Sequence, residues 1–257
     1  MIQRKANSVP VSADTSEPNF QKLHRQSSTG LISAPNGGII GQPRQPLHQL
    51  AFRMPYPKTP DKIAIEVMDP FEGLDLQRVF VVSNERQAGL ALGELMEATL
   101  VGFDTESKPT FQKGEKSEGP HVLQFATTEK AFIFQSHVEE SYSVILELLK
   151  SAQLTKIGFG LDGDLAQISN RFGIRPSSIV DLDSSFRKLG YRNSVGAKSA
   201  IAMLFNRKMT KSKAITTSNW GARELNDRQL LYAANDAYAA IQVYHALSSS
   251  QQTAAGR

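Results

Sequence analysis

The stretch Leu100-Val-Gly-Phe-Asp-Thr-Glu106 joins an apolar run to a pair of acids, and its reading decides the fold. Residues 100–104 read as a strand, its apolar, β-prone part Leu100-Val-Gly-Phe103 having the pattern of a buried one. Side chains alternate along a strand, so Asp104 and Glu106 leave its end on the same face. Two crowded carboxylates raise each other's pKa, and a divalent cation bound between them reverses that penalty. Alone the pair proves little, because solvated strand ends also carry such acids.

Outward from this strand, short β-rich runs alternate with helical periodicity, which is the pattern of an α/β layer fold. Residues 78–82 read as a strand, and Asn84 with Gln87 as a capping box opening a helix through residue 98. Residues 121–126 and 131–134, separated by Thr-Thr-Glu-Lys, read as a hairpin. A helix near 142–151, a strand at 156–159 and a helix over 162–172 follow. Beyond Asp181 the chain reads as almost wholly helical, and Asn226 with Gln229 cap a long last helix.

The chain has 257 residues, 40% of them hydrophobic and 21% charged, so it can bury a full core. It lacks cysteine, which excludes disulfides, zinc knuckles and a thiol nucleophile and leaves oxygen or imidazole for any metal. No run approaches the roughly 20 apolar residues of a membrane span, and no apolar core of a secretory signal opens the chain. The expected location is the cytoplasm, in association with the nucleoid if the source is bacterial. Residues 1–60 hold 8 of the 12 prolines and seven basic residues against two acidic ones. They read as a flexible basic tail rich in Pro, Ser and Gln, acting as a linker or as an arm for a polyanion. Residues 61–257, with 22 basic and 23 acidic residues, are near neutral.

A second acidic element follows the strand at 156–159, in Gly158-Phe-Gly-Leu-Asp-Gly-Asp164. It also fits the Gly-x-Gly-x-x-Gly dinucleotide fingerprint, with Asp181 and Asp183 about 20 residues on. Electrostatics disfavour that oxidoreductase reading, because Asp162 and Asp164 occupy the helix start where a pyrophosphate needs positive potential. Asp162 suits a helix cap, whereas Asp164 lies one step deeper. The third element is Tyr232 and Asp236, four residues apart on one face of an alanine-rich helix. Such a pair also occurs in ordinary packed helices, so the inference rests on the three elements together.

Phe103-Asp104-Thr-Glu106, the glycine segment ending in Asp164, and Tyr232-x-x-x-Asp236 resemble the three motifs of the DEDD 3′ to 5′ exonucleases. Tyr232, with Leu231 where the other subclass carries histidine, resembles the tyrosine subclass. Val101-Gly-Phe-Asp-Thr-Glu-Ser-Lys-Pro-Thr-Phe111 and Lys211-Ser-Lys-Ala-Ile-Thr-Thr-Ser-Asn-Trp220 resemble the Werner-syndrome exonuclease branch of the group that also holds ribonuclease D. The resemblance covers roughly 75–247 and makes 61–257 the exonuclease domain.

It implies a ribonuclease-H-like mixed sheet flanked by helices, with nucleoside 5′-monophosphates released from the 3′ ends of DNA or RNA. It also implies two divalent cations, Mg²⁺ or Mn²⁺, which suit an all-oxygen site. Asp104 would bridge them, Glu106 and Asp236 would complete one site, and Asp164 would serve the other mainly through water. Tyr232 would aim the attacking water. The nucleic acid would be gripped by Thr105, Gln124, the 108–116 loop, Lys208, Lys211, Lys213 and Trp220. Solvated surface is the competing reading for the lysines, and core packing for Trp220. His121, His137 and His245 show no ligand spacing. A scaffold that binds nucleic acid without cutting it would have lost a carboxylate, and all four are present. The resemblance leaves room for a homo-oligomer and gives no membrane partner.

Overall fold

The computed structural model describes residues 57–110, 114, 117–210 and 212–255. The expected tail up to residue 56, Lys211, and Lys113 and Lys116 of the 108–116 loop lie outside the described residues. The strands are β1 (Val79–Val82), β2 (Leu100–Glu106), β3 (Val122–Ala126), β4 (Ala131–Gln135), β5 (Thr155–Gly158) and β6 (Ile179–Asp181). They form one mixed sheet in the order β1-β4-β3-β2-β5-β6. The hairpin partners β3 and β4 and the β2–β3 pair are antiparallel, and the other three pairings are parallel. The helices are α1 (Lys62–Glu66), α2 (Glu85–Ala98), α3 (Tyr142–Lys150), α4 (Asp162–Phe172), α5 (Leu182–Lys188), α6 (Ala197–Phe205), α7 (Lys213–Thr216) and α8 (Asp227–Ala255). Among the described residues, no helix is long and apolar enough to cross a membrane.

Strand alternation sorts the sheet into two faces. On one, Val101, Phe103, Leu123, Phe125, Phe132 and Phe134 pack with buried residues of α2, α3 and α4. The rings of Phe103 and Phe125 lie 5.1 Å apart, and Phe125 meets Phe134 edge-on at 5.7 Å. On the other, Val122, Ala126, Ala131 and Ile133 pack beneath Ala233, Ala234 and Ala237 of α8, with Trp220. Ile157 joins α5, α6 and the later turns of α8. The expected mixed sheet flanked by helices is the one observed.

Both expected helix caps form. Asn226 Oδ1 accepts from Gln229 N, and Gln229 Oε1 accepts from Asn226 N, each at 3.1 Å. At α2, Asn84 Oδ1 accepts from Gln87 N at 3.0 Å, but Gln87 reaches back one residue further, to Ser83 N at 2.9 Å. β2 runs two residues past the expected end, so the acid pair lies within the strand and pairs with β3. The short edge strand β6 was not expected, since three half-buried residues carry no legible alternation.

The seat of α8 depends on Gly102. A β-carbon at Gly102 would stand 1.8 Å from the Ala237 carbonyl oxygen, so helix backbone rests directly on strand backbone. Gly102→Ala should therefore cost on the order of 3 kcal/mol through forced separation of the two elements, read as a fall in Tm, with activity lost in the folded fraction.

Lys156 is fully buried on β5, with Nζ donating to the carbonyls of Leu148 at 3.2 Å and Ser151 at 2.8 Å where α3 ends. Burial lowers its pKa from 10.5 to about 8. Between those values an unfolded lysine is protonated while the native one is neutral, so native stability rises with pH across this window. The Tm advantage of the parent protein over Lys156→Met should widen from about pH 7.5 to about pH 10.

Candidate active site

Gly102, Asp104 and Glu106 share one face of β2, so the glycine that admits α8 stands in the same row as the acids. Ala237 is the residue whose carbonyl covers Gly102, and Asp236 precedes it. One carboxylate oxygen from each of Asp104, Glu106 and Asp236 lies within 4.8 Å of the other two. Asp236 is only 5% exposed, and Asp104 and Glu106 are half-buried. This is an all-oxygen donor set of the kind hard divalent cations take. Gln124 faces Asp104 directly across the β2–β3 ladder. It is fully buried, and neither atom of its carboxamide has a protein hydrogen-bond partner. A polar group so placed beside the acids fits a hydrated ionic site better than a dry core. Its burial sets it inside the sheet–helix layer and not on a substrate-facing surface.

Asp164 stands apart from this trio, on the first turn of α4, where it accepts a short hydrogen bond from Thr105 Oγ1. The Thr105 amide donates to Asp104 Oδ1 at 2.9 Å. Burial raises the Asp164 pKa, with Asp181 adding to the effect and the Thr105 bond opposing it. Neither Asp162 nor Asp164 caps α4: the cap residue is Leu161, with no side-chain cap bond. The Asp181 carboxylate instead accepts from Gly160 N at 3.1 Å and Leu161 N at 3.0 Å, and also from Asp183 N at 2.8 Å. Amides that a pyrophosphate would need are thus taken by a carboxylate, which removes the basis of the dinucleotide reading.

Tyr232 lies one turn before Asp236. Its hydroxyl is 3.0 Å from Thr216 Oγ1, and its ring lies 5.8 Å from that of Trp220. Trp220 is fully buried and donates through Nε1 to the Thr216 carbonyl at 3.3 Å. The expected stacking platform for a base is therefore corrected: the indole has no exposed face and props Tyr232 from behind. Lys208 donates to the Glu66 carbonyl at 2.9 Å and ties down α1, while Lys213 is exposed on α7. The His121 imidazole, whose pKa burial lowers, accepts at Nδ1 from Lys108 N at 3.2 Å.

A cleft of about 530 Å³ reaches Tyr232 and Asp236, with Phe71, Leu74, Met209 and Ile215 among its walls. The Asn235 amide accepts from Leu74 N at 2.6 Å and donates to Leu74 O at 3.1 Å, which holds one wall against α8.

A mixed sheet on which a strand and a crossing helix bring three acids together is the scaffold of a candidate acidic metal site. Residues 79–251 match the family described as 3′-5′ exonuclease, and the chain belongs to that family. It is 30% identical over 165 residues to the mouse bifunctional 3′-5′ exonuclease/ATP-dependent helicase WRN, covering 62% of this chain and 12% of the mouse protein. A 3′-5′ exonuclease of Arabidopsis thaliana is 27% identical over 216 residues, covering 82% of this chain and 69% of the plant protein. Among solved structures, the Aedes aegypti Nibbler EXO domain superposes with a TM-score of 0.61 at 21% identity, covering 71% of this chain and 94% of that one. Trypanosoma brucei RNase D in complex with RNA U12 gives 0.58 at 20% identity, covering 66% and 62%.

Asp181→Ala should leave the Gly160 and Leu161 amides without their acceptor, lower stability by about 1–3 kcal/mol and loosen the start of α4. Chemical denaturation gives the first effect, and amide exchange at 160–165 the second.

Proposed function

We propose that this chain removes nucleotides from the 3′ end of DNA or RNA, hydrolysing phosphodiester bonds and releasing nucleoside 5′-monophosphates. The observation that carries the reading is the convergence of Asp104, Glu106 and Asp236 within 4.8 Å, in a chain of the 3′-5′ exonuclease family. The RNA-bound state of the Trypanosoma RNase D supports nucleic acid as the substrate class.

Asp104, Glu106 and Asp236 would hold Mg²⁺ or Mn²⁺, with Asp164 serving a second position. When bound, such cations acidify a water and neutralise charge on the leaving oxygen. A tyrosine phenol is ordinarily protonated at neutral pH and is a poor base there. The role of Tyr232 is to aim the attacking water. The buried Trp220 ring and Thr216 fix that aim. The cleft beside Tyr232 and Asp236, with apolar walls at Phe71, Leu74 and Ile215, gives a nucleoside somewhere to rest.

End-labelled single-stranded DNA, recessed duplex, RNA and dinucleotides, digested with Mg²⁺ and with Mn²⁺, test the reading. Asp104→Ala, Glu106→Ala and Asp236→Ala should each abolish turnover without lowering Tm, because each relieves repulsion among the acids. Tyr232→Phe should lower kcat by about 10² to 10³ at nearly constant KM and cation affinity. A phenylalanine variant with normal turnover and reduced Tm would assign Tyr232 to packing alone.

A further inference from the structure

The end of β2 carries two hydroxyls that reach away from the acid trio. Thr105 alternates with Asp104 and Glu106 and so meets α4, and Ser107, just past the strand, continues the row. Thr105 Oγ1 donates to Asp164 Oδ1, and Ser107 Oγ donates to Gln167 Oε1. Donors two apart on a strand are about 6.6 Å apart, and acceptors three apart on a helix rise about 4.5 Å. Flexible side chains bridge that difference, so the two bonds form successive rungs between strand and helix. Arg171 continues the same helix stripe and donates to the Glu118 and Ser136 carbonyls. α4 thus turns Asp164, Gln167 and Arg171 towards β2 and its following loop, while Ile168 and Phe172 enter the core.

Thr105 is only 8% exposed. Its β-branched side chain has few rotamers open to it, so the hydroxyl is held in aim. Through its amide the same residue holds Asp104. It is therefore in contact with two of the four acids, one on each face of the strand.

Building on the cation reading above, we propose that Thr105 is a positioning residue: its hydroxyl fixes the Asp164 carboxylate against β2 and sets the affinity of the second cation position. Groups that orient a metal's ligands typically change its affinity 10- to 100-fold when removed. Valine matches threonine in shape and lacks only the hydroxyl, serine keeps the hydroxyl, and alanine removes it without adding a methyl.

The test is Mn²⁺ titration of the full chain by calorimetry and electron paramagnetic resonance, with Tm recorded for each protein. The parent should bind two ions. Thr105→Val should weaken one of them about 10- to 100-fold and spare the other, and Thr105→Ser should stay within a few-fold of the parent. In an Asp164→Asn background, Thr105→Val should change nothing further. If the valine protein does not fold, Thr105→Ala is read in its place. Two ions in the parent with unchanged affinities in the valine variant overturn the proposal alone. An equal loss in the Asp164→Asn background also overturns it, since Thr105 then acts through something other than Asp164. A parent that binds no Mn²⁺ overturns the cation reading itself, and this proposal with it.

Discussion

How closely α8 can lie on β2 decides everything at the acid cluster. Gly102 offers no side chain, and alanines at 233, 234, 237 and 240, all at most 1% exposed, keep the facing helix surface thin. Ordinary side chains at these positions would push helix and sheet apart, and a short aspartate on one could not then join two carboxylates on the other. The row Gly102, Asp104, Glu106 thus works as a unit. Its first member admits the helix, and the other two meet the acid that the helix delivers.

The closeness has an electrostatic cost. Two unit charges 4 Å apart repel by about 4 kcal/mol at an effective dielectric of 20. Three carboxylates within 4.8 Å, one of them nearly buried, are therefore not assembled for stability. The fold holds them by apolar packing elsewhere, notably the Phe103, Phe125 and Phe134 rings on the opposite face of the sheet. A site that strains its own scaffold in this way is one arranged for a positively charged occupant.

What was legible in the sequence is local or periodic. Alternation in 100–106 gave the shared face of Asp104 and Glu106, the period in 162–172 gave α4, and the four-residue step gave Tyr232 with Asp236. What was not legible depends on distant partners. Trp220 lies among lysines and threonines in sequence, where stacking and core packing look alike, and only the closing of α8 over β3 and β4 decides for the core. Asp181 follows the glycine segment at the spacing of a ribose-binding acid, yet the parallel pairing of β5 with β6 turns its carboxylate onto the Gly160 and Leu161 amides. Asn235 and Lys208 bind backbone groups of the segment before β1, and no local pattern announces that.

The glycine segment has a packing explanation that parallels the one at Gly102. A β-carbon at Gly158 would stand 2.5 Å from the Phe103 carbonyl oxygen, so the turn from β5 into α4 is pressed against β2. Gly160 takes a left-handed φ of 62°, which lets the chain turn sharply there into the helix. Gly158 and Gly102 therefore do related work on neighbouring strands: Gly102 admits the α8 backbone, and Gly158 makes room for the Phe103 carbonyl and for Leu161 at the start of α4. α8 brings Asp236 to one face of β2, and α4 brings Asp164 to the other. The strand between them alternates, so its acids meet the first helix and Thr105 meets the second. A phosphate-binding loop would leave its amides open, whereas this one closes them on Asp181, and the charge it presents is negative. The same spacing of glycines that serves a nucleotide elsewhere serves here to set a carboxylate in place.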